Sequence, residues 1–323
     1  MNSRNLNILV LTNMYPKEND QKGVFVYEQC KSVKDHFSST LFSVLNIDNY
    51  NFFGFFKYFV SAFSLLKLLL VKKFDVIHVH YGLSFIPLFF LLPILLFIKT
   101  RIVLTCHGSD LMGSALVKFV TNLGGFFSGK VIIVSSDQAK YLWKCNITKS
   151  IVVPCGVNSS FFYYNDVINE RIDGSLSIIF PSSPSREEKN YTMFESILRK
   201  LKSHGKNVNA IIFKDMSREQ IRDALINSDY LLLTSIREGS PQVVKEAVFT
   251  GLPVISTQVG DVQDILKYSK QCLVSNDEDE IVSFILSHKK SFRLERDFTS
   301  QVVSKYSDDV IATKLHNIYL GFL

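Results

Sequence analysis

Apolar runs of strand length recur along this chain, each closed by a glycine, proline or hydroxyl-bearing joint and followed by residues whose apolar positions fall at helical spacing. Residues 7–12, 40–45, 75–81, 101–106, 130–135 and 151–154 form a first series of strands. Residues 177–181, 208–213, 230–234, 253–257 and 272–275 form a second. Helical stretches lie at 25–36, 137–145, 217–227, 277–286 and 309–323. Strands alternating with helices predict parallel sheets covered by crossover helices. A polar stretch at 163–176 separates the two series. The pattern predicts an α/β protein of two facing Rossmann-like domains, 1–164 and 165–306, with parallel sheets and a ligand in the interdomain cleft.

Two stretches break the alternation. Residues 52–73 are rich in Phe, Leu, Tyr and Lys, and 85–98 (FIPLFFLLPILLFI) carry no charge but contain Pro87 and Pro93. Neither reaches the roughly 20 apolar residues that a membrane span needs. Residues 85–98 read as a buried crossover helix. Residues 52–73 fit either such a helix or one lying in a membrane interface, with Phe and Leu towards acyl chains and lysines towards headgroups.

At 323 residues, 47% hydrophobic and 20% charged, the chain is globular and long enough for two domains. The formal charge of +6 favours acidic ligands or an anionic membrane, but it is diffuse and does not point to nucleic acid. Five cysteines, Cys30, Cys106, Cys145, Cys155 and Cys272, are odd in number and widely spaced, which suits a reduced, cytoplasmic protein. The amino terminus reads as a first strand and not as a signal peptide.

Candidate chemistry gathers where strands end. In 229–262 (DYLLLTSIREGSPQVVKEAVFTGLPVISTQVGDV) a strand is broken by Glu238-Gly239-Ser240-Pro241. A helix should follow, with Ser240 as N-cap, Pro241 at the first helical position, and Val243, Val244, Ala247 and Val248 as its apolar stripe. Such a helix start points amide N–H groups and a positive dipole end into the crevice, which makes an anion site of Ser240, Pro241, Gln242 and Val243. Glu238 stands at its mouth, and Glu246 follows eight residues on, about two turns along the same side. That arrangement suits a phosphate ester carrying sugars on both sides. Earlier in the chain His80 closes one strand, and His107-Gly108-Ser109-Asp110 closes the next: an imidazole at a strand tip, a glycine for close approach, and Ser/Asp to cap a helix. The loop after the first strand, 15–23, holds Pro16, Lys17, Lys22 and Gly23, and no G-x-G-x-x-G is present, which argues against a dinucleotide cofactor. Asp277 and Asp279 form an Asp-x-Asp string at a helix start, where capping is the better reading than metal binding.

EGSPQVVKE followed by A-x-x-x-G-L-P-V-I-S-T-x-V-G resembles the donor-site signature of the group 1, family 4 type of retaining, nucleotide-sugar-dependent glycosyltransferases. HGSD at 107–110 resembles that family's sugar-facing histidine motif. The resemblance implies a GT-B architecture whose last helix, 307–323, packs back on the first domain, and a nucleoside-diphosphate sugar as donor substrate with neither cofactor nor metal. It implies that His107 and Glu238 are catalytic, that Glu238 meets the donor sugar and Glu246 the ribose, and that His80 and Asp110 lie on the acceptor side. It implies further that Lys189, Arg186 and the turn Gly239, Ser240, Pro241, Gln242 and Val243, through the amide N–H groups of its non-proline residues, hold the diphosphate, with Gly23 in a loop that closes over it. SSPSREEKNY stands where the family has Gly-Arg-Leu and then Lys-Gly or Lys-Asn; the Gly-Arg pair is missing, and the second domain is shorter than usual. The implied acceptor is a lipid-linked saccharide at the inner face of a bacterial membrane, in capsule, exopolysaccharide or teichuronic-type synthesis, with residues 52–73 on the anionic surface. Two other functions fit the same plan: a nucleotide-sugar epimerase, which needs no acceptor, and a non-catalytic nucleotide-sugar-binding partner.

Overall fold

The computed structural model describes residues 5–17, 23–50, 54–95, 100–166, 175–288 and 292–322. Lys22, residues 52–53, 96–98 and 167–174, all read above, lie outside the described residues. The chain divides into two compact units, one of residues 1–156 with 308–323 and the other of residues 157–307.

The first unit is built on strands β1 (Leu6–Thr12), β2 (Thr40–Asn46), β3 (Val76–His80), β4 (Arg101–Cys106), β5 (Lys130–Ile133) and β6 (Ser150–Val152). They pair in parallel in the order β2-β1-β3-β4-β5-β6. Its helices are α1 (Val24–His36), α2 (Phe56–Val71), α3 (Ile86–Phe90), α4 (Leu92–Leu95), α5 (Ser109–Met112), α6 (Ala115–Phe127) and α7 (Lys144–Ile147). Successive strand side chains point to opposite faces, so each strand feeds two cores. Leu9 and Leu11 of β1, Ile77 and Val79 of β3, and Val131 and Ile133 of β5 pack with α2 and α3. Ile8, Val10, Val76 and Ile132 pack instead with α1 and with the closing helix of the chain, Asp308–Leu320.

The second unit continues with β7 (Leu176–Phe180), α8 (Tyr191–Ser203), β8 (Val208–Ile212), α9 (Arg218–Asn227), β9 (Tyr230–Leu233), α10 (Gln242–Phe249) and β10 (Val254–Ser256). It ends with α11 (Val262–Leu266), β11 (Leu273–Val274), α12 (Glu278–Ser287) and α13 (Arg296–Tyr306), and the Asp308–Leu320 helix is α14. Its sheet is also parallel, in the order β11-β10-β9-β7-β8. Ser217 and Gln220 form a capping box at the start of α9, and Asp277 caps α12 by accepting from the amides of Asp279 and Glu280.

Three local expectations are corrected. The described part of the 85–98 run, residues 85–95, does not form one helix: a 3-10 turn at Gly82–Phe85 leads into α3, and Pro93 falls at the start of a separate α4. Proline lacks the N–H that a continuous helix would need. Residues 137–145 are a 3-10 turn, Ser136–Tyr141, and then the short α7. There the Gln138 side chain accepts from the Val134 amide and the Asn122 side chain from the Trp143 amide, bonds that compete with a continuous helix. Ser240 does not cap α10: Pro241 occupies that position, and the Ser240 hydroxyl is turned to Asp261.

Candidate functional site

In each sheet the chain leaves one strand in one direction and later returns to its other side. That switch falls between β1 and β3 in the first unit and between β7 and β9 in the second. Parallel α/β sheets bind ligands outside the carboxyl ends of strands at such a point. The candidate residues cluster at both.

In the second unit the loops after β7 and β9 are stitched together. The Thr234 hydroxyl donates to the carbonyls of Lys189 and Asn190, and the Ile236 amide donates to the carbonyl of Glu188. Lys189 Nζ donates to Glu238 Oε1 at 2.5 Å, and the Ser235 hydroxyl donates to the same oxygen at 2.7 Å. Lys189 and Glu238 thus form a nearly buried pair, 12% and 14% exposed. Asn190 sits in the left-handed region, φ 52°, and its side chain caps α8 by accepting from the Met193 amide. Asparagine tolerates that conformation better than most residues, which gives the Lys-Asn pair a backbone reason. Arg186 lies further out, exposed and forked onto Glu188.

The turn after β9 leads into α10, where Glu246 is nearly sealed and bonded to Arg218 Nη2 at 2.9 Å. The Arg218 guanidinium lies 4.8 Å from the centre of the Phe162 ring, a cation–π contact that fixes it further. Beneath the turn, fully buried Lys245 donates to the Ser240 hydroxyl, and that hydroxyl donates to Asp261 Oδ2 at 2.6 Å. Burial raises the Asp261 carboxyl, while the Lys245 charge pulls it down. Gly260, at φ +53°, lies so close to the turn that an added Cβ would come within 2.5 Å of the Gly239 carbonyl oxygen. The turns after β9 and β10 are therefore one packed assembly holding Gly239, Ser240, Pro241, Gln242 and Val243 at the helix start.

In the first unit Gly23 opens α1 at φ +78°, where a Cβ would strike the Met14 backbone at 2.3 Å, so only glycine lets the loop close there. Phe25, two residues on, packs on the His107 ring with centroids 4.7 Å apart. His107 Nε2 lies 3.1 Å from Nδ1 of His80, and the two rings stack. His80 is fully buried and packs in turn against His78 with the rings tilted by 37° and their centroids 4.0 Å apart; the His78 ring bonds the Tyr319 and Thr105 hydroxyls at 2.7 Å each. Burial pushes the imidazoles of His78 and His107 down to about 3 and that of His80 well below its usual value, so all three are neutral at pH 7.

Asp110 is fully buried in α5, and its carboxylate accepts from the amides of His107, Gly108 and Gly82. Burial raises that carboxyl to about 6 against those donors. Its observed work is to fold the 107–110 turn and so to aim His107. Among the described residues no group of three or more His, Cys, Asp or Glu is arranged to hold a metal ion.

Sequence reasoning missed Arg218, Lys245 and His78. Arg218 is 28 residues from its partner and gave no local signal. His78 was legible, since a single residue, Val79, separates it from His80 and alternation puts both on one face of β3.

The profile of Glycosyltransferase Family 4 matches residues 8–161, and that of Glycosyl transferases group 1 matches residues 186–288. Over 199 residues the chain is 27% identical to TuaC of Bacillus subtilis (strain 168), named for teichuronic acid biosynthesis as a glycosyltransferase. That match covers 53% of this chain and 50% of TuaC, so the chain spans half the length of this relative. Among solved structures, a sucrose-phosphate synthase from Thermosynechococcus elongatus superposes with a TM-score of 0.77 at 14% identity, over 98% of this chain and 99% of the other. Anabaena HepE, solved with UDP and glucose, gives 0.73 at 12% identity over 98% and 100%. At such identities the likeness shows the fold alone: two parallel-sheet α/β domains of the GT-B type.

Proposed function

Because this chain belongs to the group 1, family 4 glycosyltransferases, we propose that it moves a sugar, with retention of configuration and without a metal, from a nucleoside-diphosphate sugar to a saccharide acceptor. The observation that carries the donor reading is the assembly at the β7/β9 switch point, where the Lys189–Glu238 pair stands in the loops before α10 and the Arg218–Glu246 pair lies along it. The helix start and Lys189 suit the diphosphate, with Arg186 at the margin. Glu246, pinned by Arg218, suits the ribose hydroxyls, because a fixed carboxylate accepts two of them without losing side-chain freedom on binding. HepE was solved with UDP, which supports a nucleoside diphosphate as the ligand class.

Glu238 lies in the loop before α10 and not two helical turns from Glu246 as expected; with Glu238 held by Lys189 and Ser235 and Glu246 by Arg218, the two are poorly placed to act as a glycosidase pair of acid and nucleophile. The chemistry proposed is a front-face displacement in which the departing phosphate accepts the acceptor's proton. His107, held neutral, supplies a hydrogen-bond donor, and Asp110 and His80 set its direction. The acceptor proposed is a lipid-linked saccharide in cell-surface polysaccharide synthesis, a reading supported by the likeness to TuaC.

A thermal-shift series with UDP, GDP, ADP and CMP and their sugars tests the donor site. A ligand at about 100 times its Kd adds about 2.7 kcal/mol of stability. One nucleoside diphosphate is expected to raise the Tm of the wild type and not that of Glu246→Ala, with chelator making no difference. The anomeric configuration of the product, read by NMR with a lipid-linked acceptor, tests retention; an inverted product would reject the mechanism, and no shift with any nucleotide would reject the donor site.

A further inference from the structure

Helices on a sheet normally turn their apolar stripe inward and a polar face outward. In the first unit α1 and α14, on one face of the sheet, do so: Tyr27 and Leu320 are their only large apolar residues that are exposed. The helices on the other face do not. Along α2, Tyr58, Ala62, Leu65 and Leu69 enter the core, yet Phe56, Phe59, Phe63 and Leu70, on the opposite side, are 54%, 42%, 60% and 75% exposed. Along α6, Leu116, Phe119 and Phe126 recur at helical spacing and are exposed as well. Phe90 of α3 bridges the gap from one side, 5.6 Å from Phe59, and its neighbour Phe89 contacts Phe127 at 6.2 Å. The outer surface of this whole helix layer is apolar and aromatic, well beyond the scattered single residues that monomer surfaces normally show.

Its charge is as one-sided. Residues 54–149 contain eleven lysines and arginines against three acids, a net of +8 in a chain whose total is +6. Of those acids Asp110 is fully buried and Asp137 is paired with Lys140. Lys67, Lys72, Lys73 and Lys144 stand exposed on or beside the same helices. No helix among the described residues is long and apolar enough to cross a membrane. We propose that the outer face of α2, α3 and α6 together docks on an anionic bilayer, with rings among the acyl chains and lysines on the headgroups. A second copy of the chain would bring like charges together, whereas acidic lipid neutralises them. This surface extends well past residues 52–73, and it rests on exposure and charge, independently of the donor reading.

The test is co-sedimentation of the full chain with vesicles of phosphatidylcholine alone or with 30% phosphatidylglycerol, at low and high salt. Binding is expected only with the anionic lipid and should weaken with salt. Phe63→Asp on α2 and Phe119→Asp on α6, both at exposed positions, should each lower partitioning at least tenfold, whereas Leu320→Asp on the opposite layer should not. Loss in Phe63→Asp with no loss in Phe119→Asp would overturn the layer-wide surface. Absence of binding, equal binding to neutral vesicles, or a wild-type dimer dispersed by Phe63→Asp would overturn the bilayer as occupant. Nucleotide thermal shifts on the same variants should stay at wild-type size, which separates this proposal's failure from failure of the donor site.

Discussion

Glu238 accepts from both Lys189 and Ser235, so the lysine proposed to meet the diphosphate is already neutralised within its own pair of loops. Removing one partner of a nearly buried pair strands the other, at a cost of roughly 2 kcal/mol, while removing both releases most of it. Lys189→Met should therefore lower stability more than Lys189→Met combined with Glu238→Gln, and both should lose donor affinity at least tenfold. Chemical denaturation of the cycle checks the first statement and nucleotide titration the second; additive losses would mean the pair is not coupled. His107 allows a second residue-scale prediction. His80 Nε2 is buried without a hydrogen-bond partner. An orphaned buried N–H is rare, so the proton belongs on His80 Nδ1, which then donates to His107 Nε2 and leaves His107 in the Nδ1–H form. Nitrogen NMR of the His107 ring should show that tautomer in the wild type and in His80→Asn, which keeps a donor near the same place. It should not persist in His80→Leu.

Element by element, what the sequence revealed depended on the range of the signal. Strand ends, the start of the 217–227 helix and the Asp277 cap are local, set by residue types a few positions apart, and they were legible. The break in 85–98 was marked by Pro93 but obscured by an unbroken apolar run. Ser240 was misread because a hydroxyl beside a helix start has a second option, an acid 21 residues away, and no local pattern announces it. The exposed face of α2 was ambiguous for a related reason: a helix apolar on both sides carries no periodicity that says which side the core takes. The close approach of Gly260 to Gly239 was equally hidden, although it is where the turns after β9 and β10 depend on each other. Gly260→Ala, strained by its positive φ and by the clash, should cost on the order of 1–3 kcal/mol and weaken donor binding with little effect on vesicle binding. Calorimetry with and without nucleotide checks this; unchanged donor affinity would show that the two turns move independently.

Across the molecule the titratable groups are unevenly shared, and that sets how acid acts on each unit. The first unit holds His78, His80 and the half-buried His107 neutral, and burial also lowers the pKa of His316. A histidine whose folded pKa is depressed stabilises the fold above its unfolded value near 6.5. That stability is lost as pH falls, because the unfolded chain takes up the proton and the folded one does not. Asp110, raised to about 6, works the other way: once the pH drops through 6 the folded state takes up one proton that the unfolded state does not hold until near 4. Asp308, also in the first unit and also raised by burial, acts in the same sense as Asp110. Three or four histidines outweigh these two carboxyls, so between pH 6.5 and 5 the unfolded first unit binds about two more protons. At about 1.4 kcal/mol per pH unit for each proton, it should lose roughly 3 kcal/mol per unit of pH. In the second unit the raised carboxyl of Asp261 opposes acid loss, and its lowered carboxylates, Glu188, Glu219 and Glu278, titrate below that window. Hydrogen exchange corrected for intrinsic rates should therefore show β3 and β4 losing protection between pH 7 and 5 while β7 and β9 hold theirs, with a shallower fall in His80→Asn. Equal loss in both units would mean that the histidine column is hydrated and does not govern the acid response.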